Sequence, residues 1–377
     1  MNFGFTEEQE LLRQEVRKFL DANAPMEAVR KLAETPEGFS RALWKQIGAL
    51  GWLGLTIPEA HGGAGLGLVD LVVVLEETGR TLFPSPLLAT TLAAAAIRDA
   101  GSEAQRARWL PGLAEGSAIG TIAVVEAGDR LDPGGVRLAG RREGGDWRIT
   151  GEKLQVLDGA TADLLVVAFR TGSGDGEIAL GVVERGTPGL TAETTPSIDG
   201  TRRVARLRCE GVRVAGDALL GAPGAAGPAL ARLLDQAAAV VTAETIGAAE
   251  GALRLTVDYA RERVQFGSPI GRFQGVKHPL AEMYVDVESF KSLLYYAAWC
   301  LDQGDPEAPR FVSMAKAYAG EAFARIGIDG VQLHGGVGYT WEYDIQLYLK
   351  RSKWARAAFG DPDHHYDRVA RLRTEAR

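Results

Sequence analysis

The stretch YARERVQFGSPIGRFQGVKH, residues 259–278, decides how this chain is read. It closes a long apolar helical pattern in charge and glycine, then opens a second helix. Arg261 and Arg263 stand where the C-terminal carbonyls of a helix favour cations. Gly267 and Pro269 prevent the helix from continuing, and Gln274 begins the next one back toward the same turn. A cation, the Phe266 ring and two amides, Gln265 and Gln274, are thereby expected at one corner, a set that suits a pyrophosphate, a flat ring and polar ring edges. A second glycine cluster, Gln332-Leu333-His334-Gly335-Gly336-Val337-Gly338-Tyr339, follows the mostly apolar residues 326–331.

These two segments, in this order, resemble the flavin-embracing segments of the acyl-CoA dehydrogenases. A third stretch, from Gly51-Trp52 through Gly67, resembles the first-domain loop of the same family, and residues 71–80 with Glu76-Glu77 resemble the helix after it. The glycines of 62–67 imitate a dinucleotide fingerprint. A fingerprint must follow a buried strand and open a βαβ unit, whereas this run lies between helical patterns, so packing is the better reading.

With 377 residues, 46% of them hydrophobic and 24% charged, the chain can bury more than one core. Its net charge of -7 and lack of a dense basic run argue against a nucleic-acid surface. Cys209 and Cys300 have neither metal-ligand nor disulfide-framework spacing, which fits a reducing compartment and inert thiols. The N-terminus reads as a helix start, with Thr6 as N-cap and Gln9 three residues on, and not as an export signal. The most apolar run, 237–243, is flanked by Asp235 and Glu244 and is far short of the roughly 20 residues a bilayer span needs. A cytoplasmic protein without a membrane segment is expected.

Three regions follow from periodicity. Residues 1–117 read as helical, with Leu11, Leu12, Val16, Phe19 and Leu20 at three-to-four spacing. Residues 118–222 carry short β runs at 122–125, 136–139, 147–150, 164–169, 178–183 and 204–212, with Gly144-Gly145-Asp146 as a hairpin signal. A compact barrel or sandwich is expected there. Residues 223–377 are helical again, over 226–263, 273–301, 309–332 and 343–359, which predicts a four-helix antiparallel bundle. So much alanine on the first of these helices predicts cover on more than one side and hence a subunit contact. The fold class is α+β multidomain, and the resemblance implies the same order of helical, β and helical domains, assembled as dimers or tetramers of identical or merely same-fold chains.

The resemblance also implies an activity: α,β-dehydrogenation of an acyl-CoA thioester, in which a carboxylate removes the α-proton and FAD accepts a hydride. Electrons then pass to an electron-transfer flavoprotein. Such chemistry needs donors on the thioester oxygen and a base within reach of the α-proton. In the family the flavin lies at a subunit contact, and the half that one chain lends its neighbour is intact here as Arg263, Gln265, Phe266, Gln274, Gln332, Gly335, Gly336 and Gly338. The half that holds a chain's own flavin is altered. Where the family has Thr-Glu-Pro and then Gly-Ser-Asp, this chain has Val125-Glu126-Ala127-Gly128-Asp129-Arg130. Where it has a Trp-Ile-Thr or Trp-Ile-Ser turn, this chain has Gln155-Val156-Leu157, losing a stacking face and a hydroxyl.

The two usual positions of the base are occupied by Phe359 and Ala237, neither of which can take a proton. Glu244, two turns beyond Ala237 on the same helix, is a weak substitute, and an ordinary ion pair with an arginine is the commoner role for such a residue. Asp235 matches a substrate-pantetheine contact, although the arginine expected three residues later is Ala238. Asp361, Asp363, His364 and His365 suggest a metal only superficially. Adjacent histidines on a helix cannot both face one ion, and Pro362 marks a polar helix start. His278 and His334 read as packing or polar contacts. The resemblance is nearest to the degraded-site member of the mixed acyl-CoA dehydrogenases that act on steroid side chains. A non-catalytic structural subunit and a same-fold flavin oxidase or monooxygenase are the alternatives.

Overall fold

The structure is a computed structural model that describes residues 4–128 and 130–375, so residues 1–3 and Asp129 of the stretches quoted above lie outside it. Six helices open the chain: α1 (Glu7–Asn23), α2 (Met26–Ala33), α3 (Arg41–Ala49), α4 (Leu68–Arg80), α5 (Leu87–Ala100) and α6 (Glu103–Glu115). The expected capping box is present on α1. The Thr6 hydroxyl accepts from Gln9 N–H at 3.2 Å, and the Gln9 amide accepts from Thr6 N–H at 3.0 Å. The glycine run at 62–67 lies between α3 and α4 and serves packing: a Cβ on Gly63 would stand 2.0 Å from the Ile57 carbonyl oxygen.

The middle region is a sheet of eight strands: β1 (Gly120–Ala123), β2 (Ala139–Glu143), β3 (Asp146–Leu157), β4 (Leu164–Arg170), β5 (Ile178–Glu184), β6 (Leu190–Thr195), β7 (Val204–Val214) and β8 (Leu219–Leu220). Its order is β6-β7-β3-β2-β4-β5-β8, with β1 parallel to β4. The Gly144-Gly145 turn joins β2 to β3, as expected, with Gly144 at φ 63°. Residues 136–138 do not join the sheet, contrary to the reading of 136–139. The Glu126 carboxylate captures the N–H groups of Arg137 and Leu138 at 3.0 Å and removes them from any ladder. Strands β6 and β8 were not anticipated, because β6 is polar and half-exposed and β8 is two residues long.

The rest is α7 (Gly227–Glu262), the two-residue strands β9 (Val264–Gln265) and β10 (Ser268–Pro269), α8 (Gln274–Gln303), α9 (Ala308–His334), α10 (Ile345–Ala357) and α11 (Pro362–Glu375). The bundle therefore has a fifth helix. α11 begins at Pro362, where a polar helix start was expected, and the Asp361 carboxylate accepts from His364 N–H at 2.9 Å there; its extent was not read because its charged sequence carries little apolar period.

The alanine-rich middle of α7 is covered by α4, α5, α8, α9 and α10 of its own chain, so its composition does not call for a subunit contact. Gly247 of α7 and Gly79 of α4 each cost about 1 kcal/mol of helix propensity, yet they let the two helices approach. A Cβ on Gly247 would lie 1.7 Å from the Glu76 carbonyl oxygen, and one on Gly79 would lie 2.1 Å from that of Glu244. Along this crossing Glu76 and Glu77 are buried, paired with Arg13 at 2.6 Å and Arg17 at 2.6 Å. Gly247→Ala is therefore expected to cost about 3 kcal/mol or more through overpacking and to lower the thermal midpoint. Gly275→Ala, whose Cβ meets nothing within 4 Å, should hold or slightly raise it.

Candidate functional site

At one end of the bundle α7 stops at Glu262, and β9 and β10 pair Val264 with Pro269 and Gln265 with Ser268. The tip of this hairpin is Phe266 at φ 53° and Gly267 at φ 75°, the consecutive left-handed residues of a mirror-image turn. Glycine adopts that conformation freely, whereas phenylalanine does not. The Phe266 ring is 93% exposed, and its aromatic neighbour is Phe273, edge-on with centroids 6.0 Å apart. Arg263, Gln265 and Gln274 are exposed beside it.

The second glycine cluster is brought to the same end by a stacked pair. The His334 ring lies on Tyr259 at 4.4 Å, and the Tyr259 hydroxyl donates to the His334 carbonyl at 3.2 Å. This fastens the C-terminus of α9 to that of α7 and answers the expectation that His334 is a packing residue. Gln332, Gly335 and Gly336 are exposed, with open space where a Cβ would stand on either glycine. Gly338 is buried, and a Cβ there would be 2.7 Å from the Val331 carbonyl oxygen. Seven of the eight residues expected to serve a neighbour thus face outward at one end.

The altered segments meet elsewhere, around a cavity of about 450 Å³ between the end of β3, the 196–198 loop and the end of α10. Gln155, Leu157, Ile198, Trp354 and Phe359 border it. Gln155 has φ 52° and Phe359 φ 53°, so two side chains on this wall are held in a strained backbone. Among the described residues one carboxylate borders the cavity, that of Glu126. It is saturated by the N–H groups of Arg137 and Leu138 and by the buried Lys153 ammonium at 2.6 Å. The turn that aims Phe359 is clamped by Lys316, whose Nζ donates to the carbonyls of Ala355 at 3.0 Å, Arg356 at 3.2 Å and Gly360 at 2.8 Å. His365 Nε2 adds a contact of 3.0 Å to the Phe359 carbonyl. Burial pushes the Lys316 amine down to about 7 and His365 down to about 3.

Glu244 is not placed to act as a base. Its carboxylate accepts from Arg202 and lies 3.8 Å from Arg351, in a buried cluster away from the cavity lining. In that cluster Arg351 also donates to Asp199 and, at 2.6 Å, to the Thr201 hydroxyl. The Trp354 ring lies under Arg202 at 5.3 Å and Arg351 at 5.9 Å, so one ring floors both the cavity and the cluster. Asp158, next to Leu157, is buried within the field of Arg202 and Arg203, and burial pushes its carboxyl up to about 7. None of Asp158, Asp199, Arg202 and Arg351 was singled out from sequence. Arg351 was findable, since it falls on the Leu347 and Trp354 face of α10, where a cation needs partners.

Asp235 borders a cavity of about 640 Å³ among α4, α5, α7 and the turn before α9, and its carboxylate accepts from Arg368 of α11. Ala237 is fully buried. His364 and His365 cross at 89° with centroids 5.0 Å apart, and the described residues hold no group of three or more His, Cys, Asp and Glu suited to a metal. Both cysteines are free and buried. No helix among the described residues is long and apolar enough to cross a membrane.

The sequence models of the acyl-CoA dehydrogenase N-terminal and C-terminal domains match residues 6–117 and 228–372. Acyl-CoA dehydrogenase IpdE2 of Mycolicibacterium smegmatis is 35% identical over 97% of this chain and 98% of its own. Among solved structures, a chain of the ChsE4-ChsE5 complex of Mycobacterium tuberculosis superposes with a TM-score of 0.91 at 31% identity, covering 100% of this chain and 99% of that one. A variant of the Tcur3481-Tcur3483 steroid ACAD gives 0.89 at 32% identity, covering 98% of each chain.

Because Glu244 balances two buried guanidinium groups, Glu244→Ala is expected to cost about 3–5 kcal/mol of stability. Urea unfolding of the chain measures this, and a change below about 1 kcal/mol would deny Glu244 its ion-pair role.

Proposed function

The chain belongs to the acyl-CoA dehydrogenase family, and from that premise we propose that it is the flavin-lending subunit of an FAD-dependent acyl-CoA dehydrogenase. A same-fold partner holds the cofactor and the acyl-CoA and supplies the catalytic carboxylate. The observation that carries this reading is the contrast between the outward-facing residues at the end of α7 and α9 and the cavity beside Phe359. The outward end fits a dinucleotide: an exposed guanidinium (Arg263), an exposed ring (Phe266), three exposed amides (Gln265, Gln274, Gln332) and open backbone at Gly335 and Gly336. The cavity on the opposite side fits a flavin poorly. Leu157 offers no hydroxyl, Phe359 no carboxylate, and Glu126 has its lone pairs already taken.

Flavin, when bound, supplies the hydride acceptor for the β-carbon. In this division Arg263 would offer charge to the pyrophosphate, Phe266 would offer its ring to the dinucleotide, and the glycines would let backbone N–H groups approach it. The α-proton leaves to the partner's carboxylate. Two of the superposed structures come from mixed or steroid-acting dehydrogenases, which favours a steroid-derived acyl group and a mixed dimer or tetramer. A soluble electron-transfer flavoprotein as acceptor, a cytoplasmic location and domain limits at 117/118 and 222/223 complete the proposal. The saturated Glu126 favours one further reading, a subunit that completes its neighbour's site and contributes nothing else.

Co-expression with a same-fold neighbour tests this. Arg263→Ala or Phe266→Ala in this chain should strip most of the flavin from the purified complex, read from visible absorbance. Both residues are exposed, so the isolated chain should keep its stability within about 0.5 kcal/mol. A complex that keeps its full flavin with both substitutions would refute the lending role.

A further inference from the structure

One loop, residues 197–203, walls two depressions. Ser197 and Ile198 face the cavity beside Phe359, while Gly200 and Thr201 face a groove of about 370 Å³ bordered by Trp341, Lys350 and Arg30. The loop is pinned from behind by the buried cluster. Arg351 of α10 holds Asp199 and Thr201, the Thr201 hydroxyl donates to Asp199 at 2.6 Å, and Arg202 is held by Glu244 of α7. All of these side chains are buried.

The charges do not balance if every carboxyl is ionised. Two guanidinium groups, Arg202 and Arg351, face three acids, Asp158, Asp199 and Glu244. Asp199 and Glu244 have direct arginine contacts. Asp158 has none, and the other charges near it are committed. Arg203 gives its N–H groups to the carbonyls of Ala33, Thr35 and Gly200 at 2.6–2.8 Å. Asp163, in the same turn, accepts from Ile119 N–H at 2.9 Å, and Lys350 lies over Trp341 at 4.1 Å. Asp158 is also at φ 49°, a left-handed conformation within the turn that follows β3.

The geometry points to a proton-linked latch: with Asp158 neutral, Arg202 and Arg351 clamp the 197–203 loop between α7 and α10. With Asp158 charged, a third carboxylate competes for Arg202, and the loop, with the walls of both depressions, loosens. Burial pushes Asp158 up to about 7 in the clamped state, whereas a carboxyl released to water returns to about 4. The clamped state therefore binds the extra proton. Its advantage is complete at low pH, shrinks as pH rises through about 7, and changes no further above that. Opening of the loop should increase by up to about tenfold per pH unit between roughly 5 and 7.

Hydrogen-exchange mass spectrometry on the full chain from pH 5 to 8.5, corrected for intrinsic exchange rates, reads the loop directly and needs no flavin. The expected result is that protection of residues 199–203 falls at least about tenfold from pH 5 to 7 and is level above 7.5, while residues 87–100 of α5 show no such step. Asp158→Asn should abolish the step. Glu244→Gln, which frees Arg202 to pair with Asp158, should weaken it. A flat profile in the unmodified chain, or an unchanged step in the Asp158→Asn chain, overturns the latch. The unmodified profile decides the matter even if a variant does not fold.

Discussion

A phenylalanine ring held almost wholly in water, at the tip of a two-residue hairpin and in a backbone conformation its side chain disfavours, is the constraint from which the rest of the molecule can be understood. Burying such a ring is worth about 1.5–3 kcal/mol, and its own chain forgoes most of that. The hairpin is placed by the end of the longest helix and braced by the Tyr259–His334 stack, so its exposure is a rigid feature of the bundle. An exposed aromatic beside an exposed arginine and three exposed amides is a surface built for something outside the chain.

The opposite side of the site is built differently. Around the 450 Å³ cavity several polar groups are already engaged with one another: Glu126 with Lys153, Lys316 with three carbonyls, and the arginines with Asp199 and Glu244. Of the five residues other than glycine with positive φ among the described residues, Gln155, Asp158 and Phe359 lie on or just behind this wall, and Phe266 is the ring at the other end. Backbone strain of the kind found at functional sites occurs here, and on the proposed reading the amide, the leucine and the phenylalanine of this wall stand where a flavin-holding chain would place a ring, a hydroxyl and a carboxylate. Trp354 links this wall to the buried charges beneath it.

Much of this was legible in the sequence where local chemistry and tertiary placement agree. The helix ends, the Thr6 capping box, the Gly144-Gly145 hairpin and the two glycine segments all carry signals confined to a few residues. The convergence of Arg263 with Gln332 and Gly335 rested on resemblance, and the Tyr259–His334 stack that creates it has no signal of its own. The charge cluster was invisible for a related reason. Asp158, Asp199, Arg202, Glu244 and Arg351 come from four separate elements, and no spacing in the chain announces that they meet. Glu244 illustrates the cost of that blindness, since a lone acid in an alanine-rich helix reads as a candidate base until Arg202 is seen beside it. The 136–138 segment failed as a strand because Glu126, eleven and twelve residues earlier, claims the N–H groups of Arg137 and Leu138.

The division of labour between two same-fold chains is tested most directly by counting flavin in the purified complex of this chain with its same-fold partner, from visible absorbance against protein mass. One flavin for each pair of chains is expected, with the chain purified alone holding essentially none. Two flavins for each pair, or a full complement on this chain by itself, would contradict it.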